Sequence, residues 1–245
     1  MVEGASEVKI AIDGPAGAGK STVARIVSGL TGYQYVDTGA MYRALALLAL
    51  EKGIDFRKEG DVTGLAERFE LRFCWDRGDF RAFLGQRDVT GKLRSREVDG
   101  AVKVIAALPR VRDFMVGRQR EIAASGDVVM EGRDITSVVL PDAEVKVYLT
   151  GDFRERVRRR WLEMVENGAQ VPWEVLKAEM ASRDEADLSR KKGPLVQVAD
   201  AVVIDTTGKT ASEVARIIVN LCDERKMAFR GGATAAAGSL AHMSR

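Results

Sequence analysis

The chain of 245 residues is 46% hydrophobic, which suits one substantial α/β domain with a smaller inserted or appended piece. Its 38 Lys and Arg nearly balance its 36 Asp and Glu, so the net charge of +2 indicates neither a nucleic-acid partner nor a membrane partner. Two distant cysteines and one histidine, His242, argue against a disulfide scaffold, a zinc site and histidine-based catalysis.

The sequence shows no pattern typical of membrane insertion or secretion. The longest aliphatic run, 44–50, is far too short to cross a bilayer, and the first residues lack an apolar signal core. We therefore expect a soluble, cytoplasmic protein, and nothing in the sequence demands more than a monomer.

A phosphate-binding loop follows the first predicted strand, 8–12. The loop reads Gly14-Pro15-Ala16-Gly17-Ala18-Gly19-Lys20-Ser21-Thr22 and fits the P-loop pattern between a strand and a helix. Its glycines allow sharp turns that point successive N–H groups at one anion, and the helix adds its N-terminal dipole. Lys20 would reach the β- and γ-phosphates of a nucleoside triphosphate, and Ser21 would offer its hydroxyl to Mg²⁺.

The next elements continue an α/β alternation. A short strand is predicted at 33–36, and the loop 37–39 leads into a helix that ends near Lys52. Tyr42 and Arg43 lie in the first turn of that helix, so both should face the crevice of the phosphate-binding loop if the sheet is parallel.

From residue 62 the pattern changes to a small α+β insertion of a shape that can close over a second substrate. Its elements are predicted as a β-hairpin of 71–75 and 80–84 around a turn at 77–79, an extended piece at 87–89, and helices 95–108 and 111–124 separated by Pro109.

The alternation then resumes with predicted strands 127–130, 145–149 and 202–205. Between the last two strands lie an arginine-dense helix and a second helix from about Pro172, which runs into a mobile polar loop at 183–190. The last helix begins with a capping box at Thr210–Glu213, and the small-residue tail after it is expected to be disordered.

The arginines form a second phosphate-binding set. Phosphoryl transfer requires two phosphate-bearing substrates in line with their charge neutralised, and the planar guanidinium suits this because it binds phosphate bidentately and keeps its proton. Five arginines stand at predicted strand ends, helix starts or the polar loop: Arg43, Arg112, Arg133, Arg183 and Arg190. The run 154–160 adds candidates, and its alternative interpretation is an exposed basic face paired with Glu155 and Glu163.

Five motifs resemble those of bacterial cytidylate kinases, and the resemblance covers nearly the whole chain from Val8 to about Arg225. The motifs are the stretches 12–20, 37–43, 132–134, 183–190 and 109–112. The first is shared with many folds, whereas the second and third at this spacing are specific.

The resemblance implies an α/β P-loop NTPase fold with an adenylate-kinase-like core and a five-stranded parallel sheet. The expected division is a core of 7–61 and 109–225, an inserted CMP-binding subdomain of 62–108, an arginine-rich lid at about 151–195 and a disordered tail of 226–245. The implied reaction is transfer of a phosphoryl group from ATP to CMP or dCMP, with Mg²⁺.

The resemblance also assigns roles by position in the motifs. Residues 14–22 would bind ATP, Ser21 would bind Mg²⁺ directly, and Glu131 would hold it through a water. The substrate-binding residues would be Arg43, Arg133 and Arg190 for the phosphate, Arg112 and Asp134 for the cytosine edge, and Tyr42, Arg183 and Asp187 for the ribose, with Thr38 and Lys103 also in the substrate site. The catalytic set would be Lys20, Arg133, Arg183, Arg190 and Arg159, with Arg159 and Arg160 as paired lid arginines.

Two positions depart from the family pattern. Lys103 stands where the family has a serine near the base, and Glu131 stands where an aspartate is common. A longer carboxylate at 131 changes the geometry of a magnesium-bound water, and neither departure removes a phosphate contact.

Three alternatives to a nucleotide kinase of this type remain open from the residues alone. One is a P-loop kinase for another small substrate, such as another nucleotide or a hydroxy acid; a substrate with no phosphate would leave Arg43, Arg133 and Arg190 without a common anion. Another is a nucleotide-dependent switch, although the guanine-reading Asn-Lys-x-Asp tetrapeptide does not occur. The last is nucleic-acid binding by the run 154–160 as a side activity.

Overall fold

The computed structural model describes residues 7–76, 79–166, 168 and 170–240. The strands are β1 Lys9–Asp13, β2 Gln34–Asp37, β3 Leu71–Asp76, β4 Asp79–Leu84, β5 Arg87–Asp88, β6 Val128–Gly132, β7 Val145–Thr150 and β8 Val202–Asp205. The α-helices are α1 Lys20–Thr31, α2 Thr38–Glu51, α3 Glu59–Ala66, α4 Arg96–Ile105, α5 Pro109–Ala123, α6 Phe153–Glu166, α7 Trp173–Ser189 and α8 Ala211–Leu240. A 3₁₀ turn, Thr90–Lys92, and a π-helical turn, Ile135–Val139, complete the regular structure. Within these residues, no helix has both the length and the apolarity to cross a membrane.

The main sheet is parallel and has five strands in the order β2-β6-β1-β7-β8. Strand β6 is buried along its whole length, as expected for a central parallel strand covered by helices on both faces. The chain leaves β1 towards one edge and leaves β6 towards the other, so a crevice opens at the carboxyl ends of these neighbouring strands. The predicted α/β fold with a five-stranded parallel sheet is confirmed.

Two hydrophobic cores cover the two faces of this sheet. Side chains alternate along β1, so Ile10 and Ile12 belong to the core formed with α1 and α8, whereas Ala11 belongs to the core formed with α2 and α5. Ile10 and Ile12 are fully buried, and burial of each such side chain stabilises the fold by about 1.5–3 kcal/mol. These cores hold the ends of β1 and β6 in fixed positions beneath the crevice.

The predicted β-hairpin is confirmed by the antiparallel pairing of β3 with β4, which β5 extends to a three-stranded sheet. Arg77 and Gly78 of the predicted turn lie outside the described residues. The expected boundary at 62 falls inside α3, whereas the boundary at 108 lies between α4 and α5. The division into core, insertion and lid otherwise stays a prediction.

Three local predictions were wrong. The stretch 183–190 is not a loop, because α7 continues to Ser189 with Met180 and Asp187 buried on one face. Pro109 does not merely separate two helices but is the first residue of α5, where its fixed φ suits the helix and its missing N–H costs nothing. The predicted loop 37–39 is the start of α2, with Asp37 as N-cap accepting a hydrogen bond from the Ala40 amide at 2.8 Å.

The last helix begins as predicted and extends further than expected. The hydroxyl of Thr210 accepts from the Glu213 amide at 3.2 Å, while Glu213 accepts from the Thr210 amide at 2.7 Å, which is the reciprocal pattern of a capping box. The backbone of α8 runs through Leu240, so residue 226 does not mark a helix end. Residues 241–245 lie outside the described part, and disorder of the tail stays a prediction.

The capping box gives a test of stability. Replacing Thr210 by alanine removes the side-chain acceptor for the first turn of α8, so the free energy of unfolding should fall by about 1 kcal/mol. Urea unfolding followed by circular dichroism measures the change. Ser212→Ala, in the same exposed turn, is the matched control and should leave the midpoint unchanged; equal behaviour of the two variants would contradict the role of the cap.

Candidate active site

The phosphate-binding loop is shaped by backbone conformations that favour glycine. Gly14, Gly17 and Gly19 have φ angles of 151°, 73° and 85°. A Cβ atom at Gly14 would lie 2.2 Å from the carbonyl oxygen of Leu149, so the loop can pass β7 only without a side chain there. Helix α1 begins at Lys20 with no side-chain cap, which leaves its first amides available to an anion.

Lys20 is buried at the centre of this loop. Its Nζ donates to the carbonyl oxygen of Pro15 at 2.8 Å. Burial, followed by the nearby charge of Arg133, lowers the pKa of Lys20 to about 7. A phosphate beside the ammonium would supply the missing negative charge and favour the protonated form.

Ser21 and Glu131 meet beside Lys20. The Ser21 hydroxyl donates to Oε1 of Glu131 at 2.5 Å, and the Tyr35 hydroxyl donates to the same oxygen at 3.2 Å. Burial raises the pKa of the Glu131 carboxyl. The structure therefore brings together the two side chains that the sequence assigned to magnesium, one from each of two neighbouring elements. No cluster of three or more His, Cys, Asp or Glu with metal-binding geometry occurs among the described residues.

A cleft of about 550 Å³ runs along the loop. Residues 16–22 line it, together with Arg159 and Arg160 of α6. Arg159 is held there by the Thr206 carbonyl oxygen at 2.7 Å and the Thr206 hydroxyl at 2.9 Å. The arginines of α6 lie on different faces of the helix. Arg154 and Arg158 are exposed, as the alternative interpretation of the run 154–160 expected.

A second cavity of about 100 Å³ adjoins the cleft. Every side chain that the sequence assigned to the second substrate lines it: Thr38, Tyr42, Arg43, Lys103, Arg112, Arg133, Asp134, Arg183, Asp187 and Arg190. They come from α2, α4, α5, the end of β6 and α7. Five separate parts of the chain therefore converge on a cavity whose volume suits a small polar ring.

The cleft and the second cavity share a wall in which three arginines outnumber one carboxylate, Glu131. Arg43, Arg133 and Arg183 line both spaces. Arg183 forms no ion pair with any residue that the structure describes, and burial together with Arg133 and Arg43 lowers its pKa to about 10. A buried guanidinium without an ion-pair partner is stabilised by an anion. The shared wall therefore suits phosphate groups that approach from both sides.

Asp187 balances two of the other cations. Its carboxylate accepts from Nε of Arg133 at 2.7 Å and from Nη2 of Arg190 at 2.5 Å. Burial opposes ionisation, but Arg133 and Arg183 hold the pKa of Asp187 below its usual range. The pairing orients both guanidinium groups towards the second cavity.

A buried ion pair forms the far end of the second cavity. Arg112 donates to Asp134, and the guanidinium of Arg112 also lies 5.9 Å from the ring centre of Tyr42. Burial raises the pKa of the Tyr42 hydroxyl to about 12, so the ring is neutral. This end presents both a guanidinium and a carboxylate, which can read the donor and acceptor pattern of a planar ring.

Sequence reasoning did not assign three carboxylates that order the site. Asp13 accepts from the amides of Ile135 and Thr136 at 2.9 and 2.7 Å and so fixes the π-helical turn that follows Asp134. Asp184 binds Arg156 at 2.6 Å, and Asp99 binds Arg43 at 2.5 Å. Asp13 and Asp184 lie inside the motifs 12–20 and 183–190, which was the available signal; Asp99 lies in none.

Comparisons with known proteins agree on one family. The family model described as cytidylate kinase matches residues 10–224. A cytidylate kinase of Symbiobacterium thermophilum is 46% identical over 224 residues, which cover 91% of this chain and 99% of the relative. A cytidylate kinase of Pelotomaculum thermopropionicum is 47% identical over 211 residues, 86% of this chain and 93% of the relative.

Among solved structures, an uncharacterised protein from Eubacterium ventriosum aligns with a TM-score of 0.50 at 13% identity. The alignment covers 89% of this chain and 99% of that one. Likeness at this identity concerns the fold alone.

The pairing at Asp187 yields a prediction. Asp187→Asn leaves Arg133 and Arg190 without their carboxylate in a buried setting, so it should lower the free energy of unfolding by about 3 kcal/mol. Thermal unfolding measures the loss, and added pyrophosphate should restore more stability to the variant than to the wild type because it replaces the missing anion. Glu185→Gln, exposed on the same helix, is the control. An Asp187→Asn variant as stable as the control would refute the role of this carboxylate.

Proposed function

Because the chain belongs to the cytidylate kinase family and is therefore an ATP-dependent kinase of CMP and dCMP, we propose that the cleft holds ATP and the second cavity holds the acceptor nucleotide. The observation that carries this assignment is the shared wall. Arg43, Arg133 and Arg183 line both spaces, and a phosphoryl group must pass between the two where the walls meet.

The chain's residues act by position and charge. A phosphoryl group in transfer spreads negative charge over its equatorial oxygens, and preorganised cations stabilise that charge without proton transfer. Lys20, from the loop, faces the donor side, while Arg133 and Arg183 lie between donor and acceptor. Arg159 borders the donor cleft and would meet the leaving phosphates. The sole histidine, His242, lies outside the described residues and has no part in this scheme.

The acceptor phosphate is proposed to bind Arg43, Arg133 and Arg190. Asp187 already orients Arg133 and Arg190, so little ordering is required when the phosphate arrives. Tyr42, Thr38, Arg183 and Asp187 would then flank the sugar.

The base is proposed to bind at the pair Arg112 and Asp134. Cytosine presents an exocyclic amine that can donate to a carboxylate and ring acceptors that can receive from a guanidinium. Uracil presents a carbonyl oxygen where cytosine has the amine, and that oxygen would face the Asp134 carboxylate with no proton between them. Lys103 borders the same cavity and adds a donor there.

The residues beside the loop fit a magnesium ion that keeps most of its ligands as phosphates and waters. Ser21 would bind it through the hydroxyl, and Glu131 would orient one of its waters, since these side chains already meet at 2.5 Å. When bound, the ion would neutralise charge on the transferring phosphates.

Segments 62–108 and 151–195 are proposed to close over the acceptor and the donor respectively. Closure would exclude water, which otherwise competes as a phosphoryl acceptor. The α6 arginines on the cleft wall would then complete the cation set around the phosphates.

The direct test is ADP production from magnesium-ATP with CMP, dCMP, UMP, AMP or GMP offered singly, beside a control without acceptor. Fast turnover confined to CMP and dCMP is expected. Lys20→Ala should lower kcat by about 10²-fold or more because it removes a cation that acts on the developing charge. ADP release that needs no acceptor would instead indicate a hydrolase or a switch and would overturn the proposal.

Base recognition predicts a selective defect. Asp134→Asn removes the negative charge that receives the cytosine amine, so kcat/KM for CMP should fall about 10- to 100-fold, the equivalent of one charge-assisted hydrogen bond. The value for UMP should change much less, and the KM for ATP should stay unchanged. Asp142→Asn, an exposed carboxylate outside both spaces, is the control. Equal losses on CMP and UMP would show that Asp134 does not read the base.

A further inference from the structure

One carboxylate touches the arginines of both nucleotide sites. Asp99 lies in the first turn of α4, and its Oδ1 accepts from Nη1 of Arg43 at 2.5 Å while its Oδ2 accepts from Nη2 of Arg160 at 2.9 Å. Arg43 lines both the donor cleft and the acceptor cavity, and Arg160 lines only the donor cleft. The Asp99 side chain is 22% exposed, so the contact is largely shielded from water.

The Asp99 contact leaves part of the Arg43 guanidinium able to act on a ligand and holds one end of the Arg160 fork. Arg43 uses only Nη1 for Asp99 and for the Leu93 carbonyl oxygen, at 3.1 Å, and within the described residues its Nε and Nη2 take no partner. Arg160 is held at both ends of its fork, by Asp99 through Nη2 and by Glu163 through Nη1 at 2.8 Å. The carboxylate therefore fixes the two guanidinium groups relative to each other.

The pKa of Asp99 agrees with close contacts between its carboxylate and both arginines. Burial opposes ionisation of Asp99, yet Arg43 and Arg160 hold its pKa below the usual range. A bidentate contact with two cations from separate helices is stronger than an exposed ion pair, because little of it is screened by solvent.

The same segments meet at two further ion pairs nearer the surface. Arg94 contacts Glu163, and Arg96 contacts Glu179 at 3.2 Å. The first pair joins Arg94, just before α4, to α6, and the second joins Arg96, the first residue of α4, to α7. Arg94 and Glu163 also line the donor cleft, but of these contacts only that of Asp99 also reaches a side chain that lines the acceptor cavity, Arg43.

On the basis of the proposed function, we propose that Asp99 is a positioning residue that couples the two sites. When α6 closes on ATP phosphates, Arg160 is fixed, and Asp99 transmits that position to Arg43, which then presents Nε and Nη2 to the acceptor phosphate. Binding of either nucleotide thus lowers the ordering cost of binding the other. By linkage the effect must be reciprocal.

The coupling is measurable as a ratio of affinities. The dissociation constant of CMP is determined by calorimetry on the full chain with Mg²⁺, first alone and then with a non-hydrolysable ATP analogue at saturation. In the wild type the constant should fall about fivefold or more in the presence of the analogue, the lower end of typical coupling. In Asp99→Asn the ratio should approach one, although both ligands still bind. The reverse titration should show the same loss.

Two further variants separate coupling from a general structural effect. Arg160→Gln removes the other end of the bridge and should also bring the ratio of CMP dissociation constants close to one. Combining it with Asp99→Asn should change the ratio no further. If Asp99→Asn does not fold, Arg160→Gln alone decides the matter. Arg96→Gln breaks a surface pair between the same segments and should leave the ratio at the wild-type value.

The outcomes distinguish this inference from the function on which it rests. A wild-type chain that binds no CMP would overturn the proposed function itself. A wild type that binds both ligands with a ratio near one, or a ratio that Asp99→Asn leaves intact, would overturn only the coupling role of Asp99.

Discussion

Positive charge removed from water is the condition on which this site depends. Burial of a guanidinium or ammonium group costs free energy that only a nearby anion offsets. Lys20 and Arg183 show the cost directly, because burial, with neighbouring cations, lowers the pKa of each. The same cost favours phosphate binding, since phosphate groups that enter the site provide the anion that these cations require. The affinity for phosphate and the free-energy cost of burying these cations therefore have one origin.

A few carboxylates placed among the cations offset this positive charge. Asp187 holds Arg133 and Arg190, Asp134 meets Arg112, and Asp99 joins two more arginines across the sites. Each carboxylate both stabilises the unliganded protein and fixes the direction of a guanidinium fork. Such preorganisation matters for phosphoryl transfer because the protein supplies mainly position and charge, and cations already in place need not reorganise when the reaction occurs.

The fold makes the arrangement possible through the neighbouring strands β1 and β6. Their carboxyl ends release the phosphate-binding loop and the Gly132-Arg133-Asp134 stretch side by side, and Asp13 ties the two by hydrogen bonds to the π-helical turn. Gly132 leaves room at this junction, because a Cβ atom there would lie 2.6 Å from the Thr38 hydroxyl and 2.7 Å from the Ile135 side chain, and these would have to shift. The phosphate-binding loop and Arg133 are therefore anchored to the main sheet, while the remaining arginines come from helices around it.

Local patterns in the sequence predicted the α/β alternation, the phosphate-binding loop and the capping box at Thr210, while the resemblance of its motifs to a known family implied the five-stranded parallel sheet and the residues around the second cavity. The local patterns depend on neighbours along the chain, because a buried strand requires a run of hydrophobic residues and the sharp turns of the loop require glycines. Tertiary structure alone decided that 183–189 is helical, since burial of Asp187 against Arg133, 54 positions away, overrides the polar composition of this stretch. It alone placed Asp99 between Arg43 and Arg160, because an ion pair between residues 61 positions apart leaves no periodicity or spacing to detect.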